Sequence, residues 1–271
     1  MKIGVRAHDF GRQPANILAK NIRQAGFECV QLAPTKAIEG ISSFADISEK
    51  HLELIHAAFS QNNLEIAVLG CYIEPSVTDR ETRLKNVEIF KANLTNAKLL
   101  GVSIVGTETT NLDIDTSLAE REKIYALLKD SVQRIAEHAE KENVYIGIEP
   151  VAEHTLNTPE LTRRLLDEVG SDKIKIIFDP VNLVLPQTIH EQELIFNKMF
   201  DLLGQEIQVM HIKDTAIENN QKVWRNIGKG VINYCQIFDW LKKHKPHIRL
   251  LREGVEMDSY QQDIQAMEKF L

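Results

Sequence analysis

The sequence predicts an α/β protein of the (β/α)8 class, a parallel eight-stranded barrel surrounded by helices. Three observations carry this expectation. Short apolar runs rich in β-branched residues recur eight times, at 2–7, 29–33, 66–71, 102–107, 144–149, 174–179, 207–212 and 248–253. Helical patterns follow nearly all of them, and strict strand–helix alternation calls for parallel strands joined by crossovers. The first strand is not followed by Gly-x-Gly-x-x-Gly and no Walker A sequence occurs, which argues against the alternative, an open doubly wound sheet.

The helices carry their own punctuation. After the third strand, Thr78-x-x-Glu81 reads as a capping box, and Leu84, Val87, Phe90, Leu94 and Ala97 recur at helical spacing until Gly101 stops the helix. Ser117-x-x-Glu120 opens the next in the same way, with Ile124, Leu128, Ile135 and Ala139 along one face. Thr158-Pro159 caps a third and Gly204 ends a fourth. Trp240 falls in a helical pattern and is expected in the core.

Composition bounds the function. With 43% hydrophobic and 26% charged residues, the chain has an ordinary globular balance. No linker or charge block divides it, so residues 1–271 are expected to form one barrel domain. A formal net charge of −7 without a basic stretch repels polyanions and argues against nucleic acid as a partner. The opening residues lack the apolar stretch of a secretory signal, and no run of about 18 apolar residues occurs. The expectation is a cytoplasmic protein without a membrane partner. Cys29, Cys71 and Cys235 are widely separated and odd in number, which fits reduced thiols; Cys71 reads as a buried free cysteine.

Four runs in the second half end in a potential metal ligand: Glu149 in GIEP, Asp179 in IFDP, His211 in MHIKD and Glu253 in LLREG. The spacings are 30, 32 and 42 residues. The first two match one strand–helix unit, and the third is longer because residues 213–230 insert a loop. In a (β/α)8 barrel the carboxyl ends of all strands meet at one rim, so ligands far apart in sequence converge. Alternation would place Gly147, Ile177, Val209 and Leu251 beneath them as a mostly apolar floor. Taken singly, Glu149 or Asp179 is more often a helix cap and His211 more often a core histidine, and Glu253 reads also as a partner of Arg252. Four such accidents at successive strand ends are improbable.

Three carboxylates and one imidazole make an oxygen-rich site, suited to Mn2+ first and to Mg2+, Co2+, Fe2+ or Zn2+ as alternatives. About two open positions would remain to chelate the carbonyl and hydroxyl oxygens of a sugar. Around this set, Lys213 and Arg225 are candidates to bind substrate hydroxyls or a phosphate, and Trp224 to stack on a sugar ring. His8, after the first strand, and Glu153 and His154, after the fifth, are further substrate-binding candidates.

At these residues the sequence resembles the xylose isomerase-like TIM-barrel superfamily, in particular its sugar-phosphate isomerase/epimerase branch with ketose 3-epimerases and hydroxypyruvate isomerases. The ordered Glu149, Asp179, His211 and Glu253 match its ligand set, and HIKD with Arg225 and Gly228-Lys229-Gly230 is also similar. The resemblance implies that Glu149 and Glu253 both ligate the metal and exchange protons on opposite faces of the substrate through a metal-bound enediolate. It implies a metal-dependent isomerase or epimerase of a small ketose or sugar derivative, phosphorylated or not, and homodimers or homotetramers are common in similar enzymes. The alternative is an inosose dehydratase-like lyase using the same metal; a non-catalytic sugar-binding protein would not need the paired glutamates. The superfamily's three-zinc endonucleases place histidine three residues after the aspartate, where this chain has Asn182, and carry an Asp-x-His that it lacks. In ketose 3-epimerases that position is also commonly histidine, so Asn182 is kept as a substrate-binding candidate.

Overall fold

A computed structural model describes residues 1–113 and 115–271, and its elements follow from local sequence. Strand β1 (Lys2–Arg6) runs into a single 3-10 turn, Ala7–Phe10. Helix α1 (Ala15–Gln24) buries Leu18, Ala19 and Ile22 at helical spacing, and β2 (Cys29–Leu32) is buried throughout. A short α2 (Pro34–Ala37) precedes α3 (Glu49–Gln61), where the Ser48 side chain accepts the His51 N–H, and then comes β3 (Glu65–Gly70). Helix α4 (Arg80–Leu99) starts one residue later than the Thr78 box implies. Asp79 is its cap, accepting the Thr82 N–H at 2.9 Å, because a carboxylate there both satisfies an orphan amide and complements the helix dipole. The helix stops before Gly101, whose φ of 68° is left-handed.

After β4 (Ile104–Glu108), helix α5 (Leu118–Glu142) is capped by Ser117 as expected, and β5 (Tyr145–Glu149) follows. Helix α6 (Pro159–Val169) begins on Thr158 with proline in its first turn. Strand β6 (Ile174–Phe178), helix α7 (Gln192–Leu203), ended by Gly204, and β7 (Ile207–Ile212) come next. The expected loop at 213–230 contains an antiparallel hairpin of β8 (Asp214–Glu218) and β9 (Gln221–Arg225). Asn219 and Asn220, at φ of 50° and 60°, turn it, as a two-residue hairpin requires. Helix α8 (Tyr234–His244), β10 (Arg249–Arg252) and α9 (Tyr260–Glu268) complete the order.

The expected eight strands are β1 to β7 and β10, and they form one closed parallel barrel in the order β1-β10-β7-β6-β5-β4-β3-β2. Among the described residues, no helix is long and apolar enough to cross a membrane.

Chain contacts divide into two compact units. The first holds Met1–Gly70, Pro186–Glu193 and Val209–Leu271. Its parallel ladder pairs β10 with β7 and β1, β1 with β2 and β2 with β3, and Phe27, Phe59 and Phe238 are fully buried around it. Trp240 is half-buried and stacked on the His244 ring at 4.9 Å rather than in the core, because α8 turns its buried side through Ile237, Phe238 and Leu241. The second unit holds Cys71–Leu185 and Leu194–Gln208. It pairs β4 with β5 and β5 with β6, over a core in which Phe178 packs edge-on against Phe196 and Phe200. Each such large side chain contributes roughly 1.5–3 kcal/mol on burial. Cys71 is buried here, and desolvation pushes its thiol up, as an inert free cysteine requires.

Candidate active site

In the second unit, the expected floor is visible below Glu149. A Cβ on Gly147 would press on Ile104 and Ile177, so any side chain there would force those isoleucines to shift. Glu149 ends β5 and Asp179 follows β6, and they are only 2% and 1% exposed. Buried carboxylates are costly unless hydrogen-bonded, and Asn182 serves both. Its Nδ2 donates to Glu149 Oε1 at 2.6 Å, and its backbone N–H donates to Asp179 Oδ1 at 2.9 Å, beside that of Val181. The Asp-Pro-Val-Asn segment therefore folds over its own carboxylate as an Asx-type turn. The capping role that competes for Asp179 is met by one of its oxygens.

Glu108 ends β4 in register with Glu149, so both side chains leave the same face. His154 Nδ1 lies 3.8 Å from Glu108 Oε2, too far for a hydrogen bond, and has no hydrogen-bond partner among the described residues. Burial lowers the His154 pKa, against the opposing charge of Glu149, so the ring is held neutral. Its loop is stitched down by Thr155, whose hydroxyl donates to the Thr110 carbonyl at 3.0 Å, and by Leu156 N–H to Thr109 Oγ1 at 3.2 Å. Glu153, next to it, is exposed.

In the first unit, His211 lies near the end of β7 and Glu253 follows β10, 1% and 7% exposed. Gln31 Oε1, from β2, lies 2.6 Å from His211 Nε2 and so accepts its proton. That hydrogen bond turns Nδ1 toward Glu253 Oε1, 3.2 Å away. Nδ1 and the carboxylate are thus placed to share either a proton or a metal ion. Glu253 Oε2 accepts from Lys213 Nζ at 2.8 Å, and Arg6 Nη1 is 3.6 Å away. Burial pushes the Glu253 pKa up, but His211, Lys213 and Arg6 together outweigh it and hold the carboxylate well below its usual range. Arg252 is not its side-chain partner: that guanidinium pairs with Asp263 at 2.8 Å and donates to the backbone carbonyl of Glu253.

Asp9 braces this half from behind. Its Oδ2 accepts Gly254 N–H at 2.8 Å and Val255 N–H at 3.1 Å, while Oδ1 accepts from Arg6 at 2.9 Å. His8, in the same 3-10 turn, is half-buried, and burial together with Arg6 lowers its pKa. Beyond β7, the buried Asp214 carboxylate accepts backbone N–H groups from Thr215, Gly228 and Gly230 at 2.9 Å. A Cβ on Gly230 would collide with that carboxylate and with the Thr215 carbonyl, which explains the glycine in this turn. Trp224 is 61% exposed on β9, with Lys213 Nζ 5.6 Å from its ring centre, and Arg225 pairs with Glu218 across the hairpin.

Sequence reasoning missed Gln31, Asp9, Arg6 and Glu108. Gln31 did carry a signal, since it is a polar side chain set in an otherwise apolar strand, whereas Arg6 shares β1 with Lys2 and does not stand out. Asp9 and Glu108 carried none.

The family model described as xylose isomerase-like TIM barrel matches residues 19–270. The chain belongs to this family. Solved structures agree on the fold. A D-tagatose 3-epimerase-like protein superposes with a TM-score of 0.80 at 17% identity, covering 100% of this chain and 97% of that one. A probable 3-DHS dehydratase from Bacillus anthracis gives 0.75 at 17% identity, covering 99% and 98%. An IOLI protein with a bound zinc atom gives 0.73 at 16% identity, covering 100% and 96%. No curated protein sequence matches the chain.

Proposed function

We propose that the chain is a divalent-metal-dependent isomerase or epimerase of a small ketose or sugar derivative, working as a single barrel. Glu149, Asp179, His211 and Glu253 are its metal ligands, and Glu149 and Glu253 its catalytic residues. One observation carries the reading: two glutamates at strand ends of a TIM barrel are buried yet each is held by a named donor, Asn182 for Glu149 and Lys213 for Glu253. Glu149, Asp179 and His211 are a buried group that can hold a metal ion, and the oxygen-rich donor set favours Mn2+. Zinc, named for one structural neighbour, is the ion to compare with it.

When bound, the metal polarises the substrate carbonyl and stabilises negative charge as it develops. The protein's own groups do the rest. One glutamate takes the proton from the carbon beside the carbonyl, and the other returns a proton. Return to the opposite face of the same carbon gives the epimer; return to the neighbouring carbon gives the isomer. Asn182 aims Glu149, and Lys213 keeps Glu253 ionised. His154 Nδ1 is an acceptor for a substrate hydroxyl, with Glu153 and His8 as outer polar contacts and Trp224 and Arg225 contributed by the hairpin.

The test is to load the protein with Mn2+, incubate it with a panel of ketoses in deuterated water and follow deuterium at carbon. We expect exchange without loss of water, reduced about 100-fold or more in Glu149→Gln and in Glu253→Gln. Unchanged exchange in both variants would reject the proton-transfer roles. A dehydratase reading is favoured by the neighbour named as a probable 3-DHS dehydratase. It predicts an ultraviolet-absorbing enone in place of simple deuterium uptake.

A further inference from the structure

Arg252 and Asp263 form an ion pair that the proton transfers leave unused. Both are buried, Asp263 completely. Arg252 follows Leu251 on β10 and so leaves the opposite face of that strand, and its Nε donates to Asp263 Oδ2 on helix α9 at 2.8 Å. The other oxygen, Oδ1, accepts the Ile227 N–H at 3.1 Å, just past the β8–β9 hairpin. A buried ion pair gains little over apolar packing of the same volume, because both charges must first be stripped of water. Stability is therefore a weak reason for this one.

The second bond of the guanidinium supplies a better one. With Nε held by Asp263, the rigid plane aims Nη1 at the backbone carbonyl of Glu253, to which it donates. Glu253 stands at a bend: β10 ends at Arg252, and Gly254 is left-handed at a φ of 68°. Its direction is set by what grips its peptide groups on each side. The Glu253 N–H donates to the Ile212 carbonyl at 3.0 Å, and the N–H groups of Gly254 and Val255 donate to Asp9. Arg252 holds the remaining group, the carbonyl, and does so from the outer helix layer.

We propose that Arg252 is a positioning residue for Glu253, oriented in turn by Asp263, so that the docking of helix α9 sets where the Glu253 carboxylate meets His211. The inference rests on the reading of Glu253 as a metal ligand. It makes the C-terminal helix part of the site's support, although none of its residues needs to touch the ion.

Lysine at 252 separates positioning from stability. It keeps a charge for Asp263, but one ammonium on a flexible stem cannot also hold the carbonyl in a fixed plane. Arg252→Lys should therefore melt near wild type yet bind Mn2+, measured by calorimetry, about tenfold more weakly or worse. Amide exchange at Glu253, Gly254 and Val255, followed by mass spectrometry, should quicken about tenfold. A pair that serves stability alone predicts that lysine restores both. A second variant guards against a fold effect: Arg252→Met combined with Asp263→Asn removes both charges and keeps an oxygen for the Ile227 N–H. It should show the same loss of Mn2+ affinity with an intact circular dichroism spectrum. Wild-type Mn2+ affinity in both variants overturns the proposal. A wild-type protein that binds no Mn2+ would sink the metal reading alone, and amide exchange then decides this one, since unchanged exchange at residues 253–255 in both variants would show that Arg252 does not hold them.

Discussion

Asn182 is the side chain on which the second unit's carboxylates depend, since its amide and its backbone N–H reach Glu149 and Asp179 within 2.9 Å. Removing the amide leaves a buried carboxylate short of a donor, which costs more than an average hydrogen bond is worth. Asn182→Ala should therefore keep the fold but loosen Glu149. We expect Mn2+ affinity, measured by calorimetry, or deuterium exchange to fall about 10- to 100-fold, the usual penalty for losing a group that orients a ligand. An unchanged affinity and rate, with an intact circular dichroism spectrum, would show that Glu149 is oriented by other contacts. Asn182→Asp is the sharper companion. It keeps the volume and replaces the donor with a like charge beside Glu149, so its loss should exceed that of the alanine variant.

At the scale of elements, the first unit is clamped where its strands begin, far along each strand from the candidate ligands. Lys2 opens β1, Glu65 opens β3 and Arg249 opens β10, and Glu65 accepts from both cations, at 2.7 and 3.0 Å. Burial pushes the Glu65 pKa up, but Lys2 and Arg249 prevail and the net shift is downward. A carboxylate lowered in the folded state stabilises fully above its unfolded pKa, near about 4.3, and that stabilisation is lost as pH falls through the folded value. Glu65→Gln should thus lower the melting temperature at pH 7 by an amount corresponding to about 1 kcal/mol or less. The gap from wild type should narrow as pH falls below about 4.3 and through the lowered folded value; a gap that does not narrow on acidification would assign the effect to packing rather than charge. The elements themselves were legible because each carries a local signal. Ser117, Thr158 and Gly101 end or begin helices where their chemistry says they must. Thr78 misled because Asp79, beside it, is the stronger cap, and the β8–β9 hairpin was overlooked although Asn219-Asn220 marks its turn.

For the whole molecule, the sequence could nominate four candidate ligands because a barrel converts strand order into place, and Glu149, Asp179 and His211 form a buried group that can hold a metal ion. Their supports it could not nominate, since Gln31 meets His211 across 180 residues and Asp9 meets Gly254 across 245, and no local pattern encodes such a contact. A site whose ligands come from strands distant in sequence has a global consequence. It cannot exist in the unfolded chain, so a metal that binds it stabilises the folded state in proportion to its affinity. At a free concentration near 100 times the dissociation constant, the gain is about 2.7 kcal/mol. For a chain of this length that is a rise of roughly 5–10 °C in melting temperature. Metal-stripped protein should therefore melt lower than protein with added Mn2+, and a chelator should reverse the difference. Asp179→Asn and His211→Gln should each remove most of the rise while melting near the metal-stripped wild type. A rise of equal size in both variants would place the stabilising ion elsewhere on the protein, and the four strand-end residues would lose their claim to it.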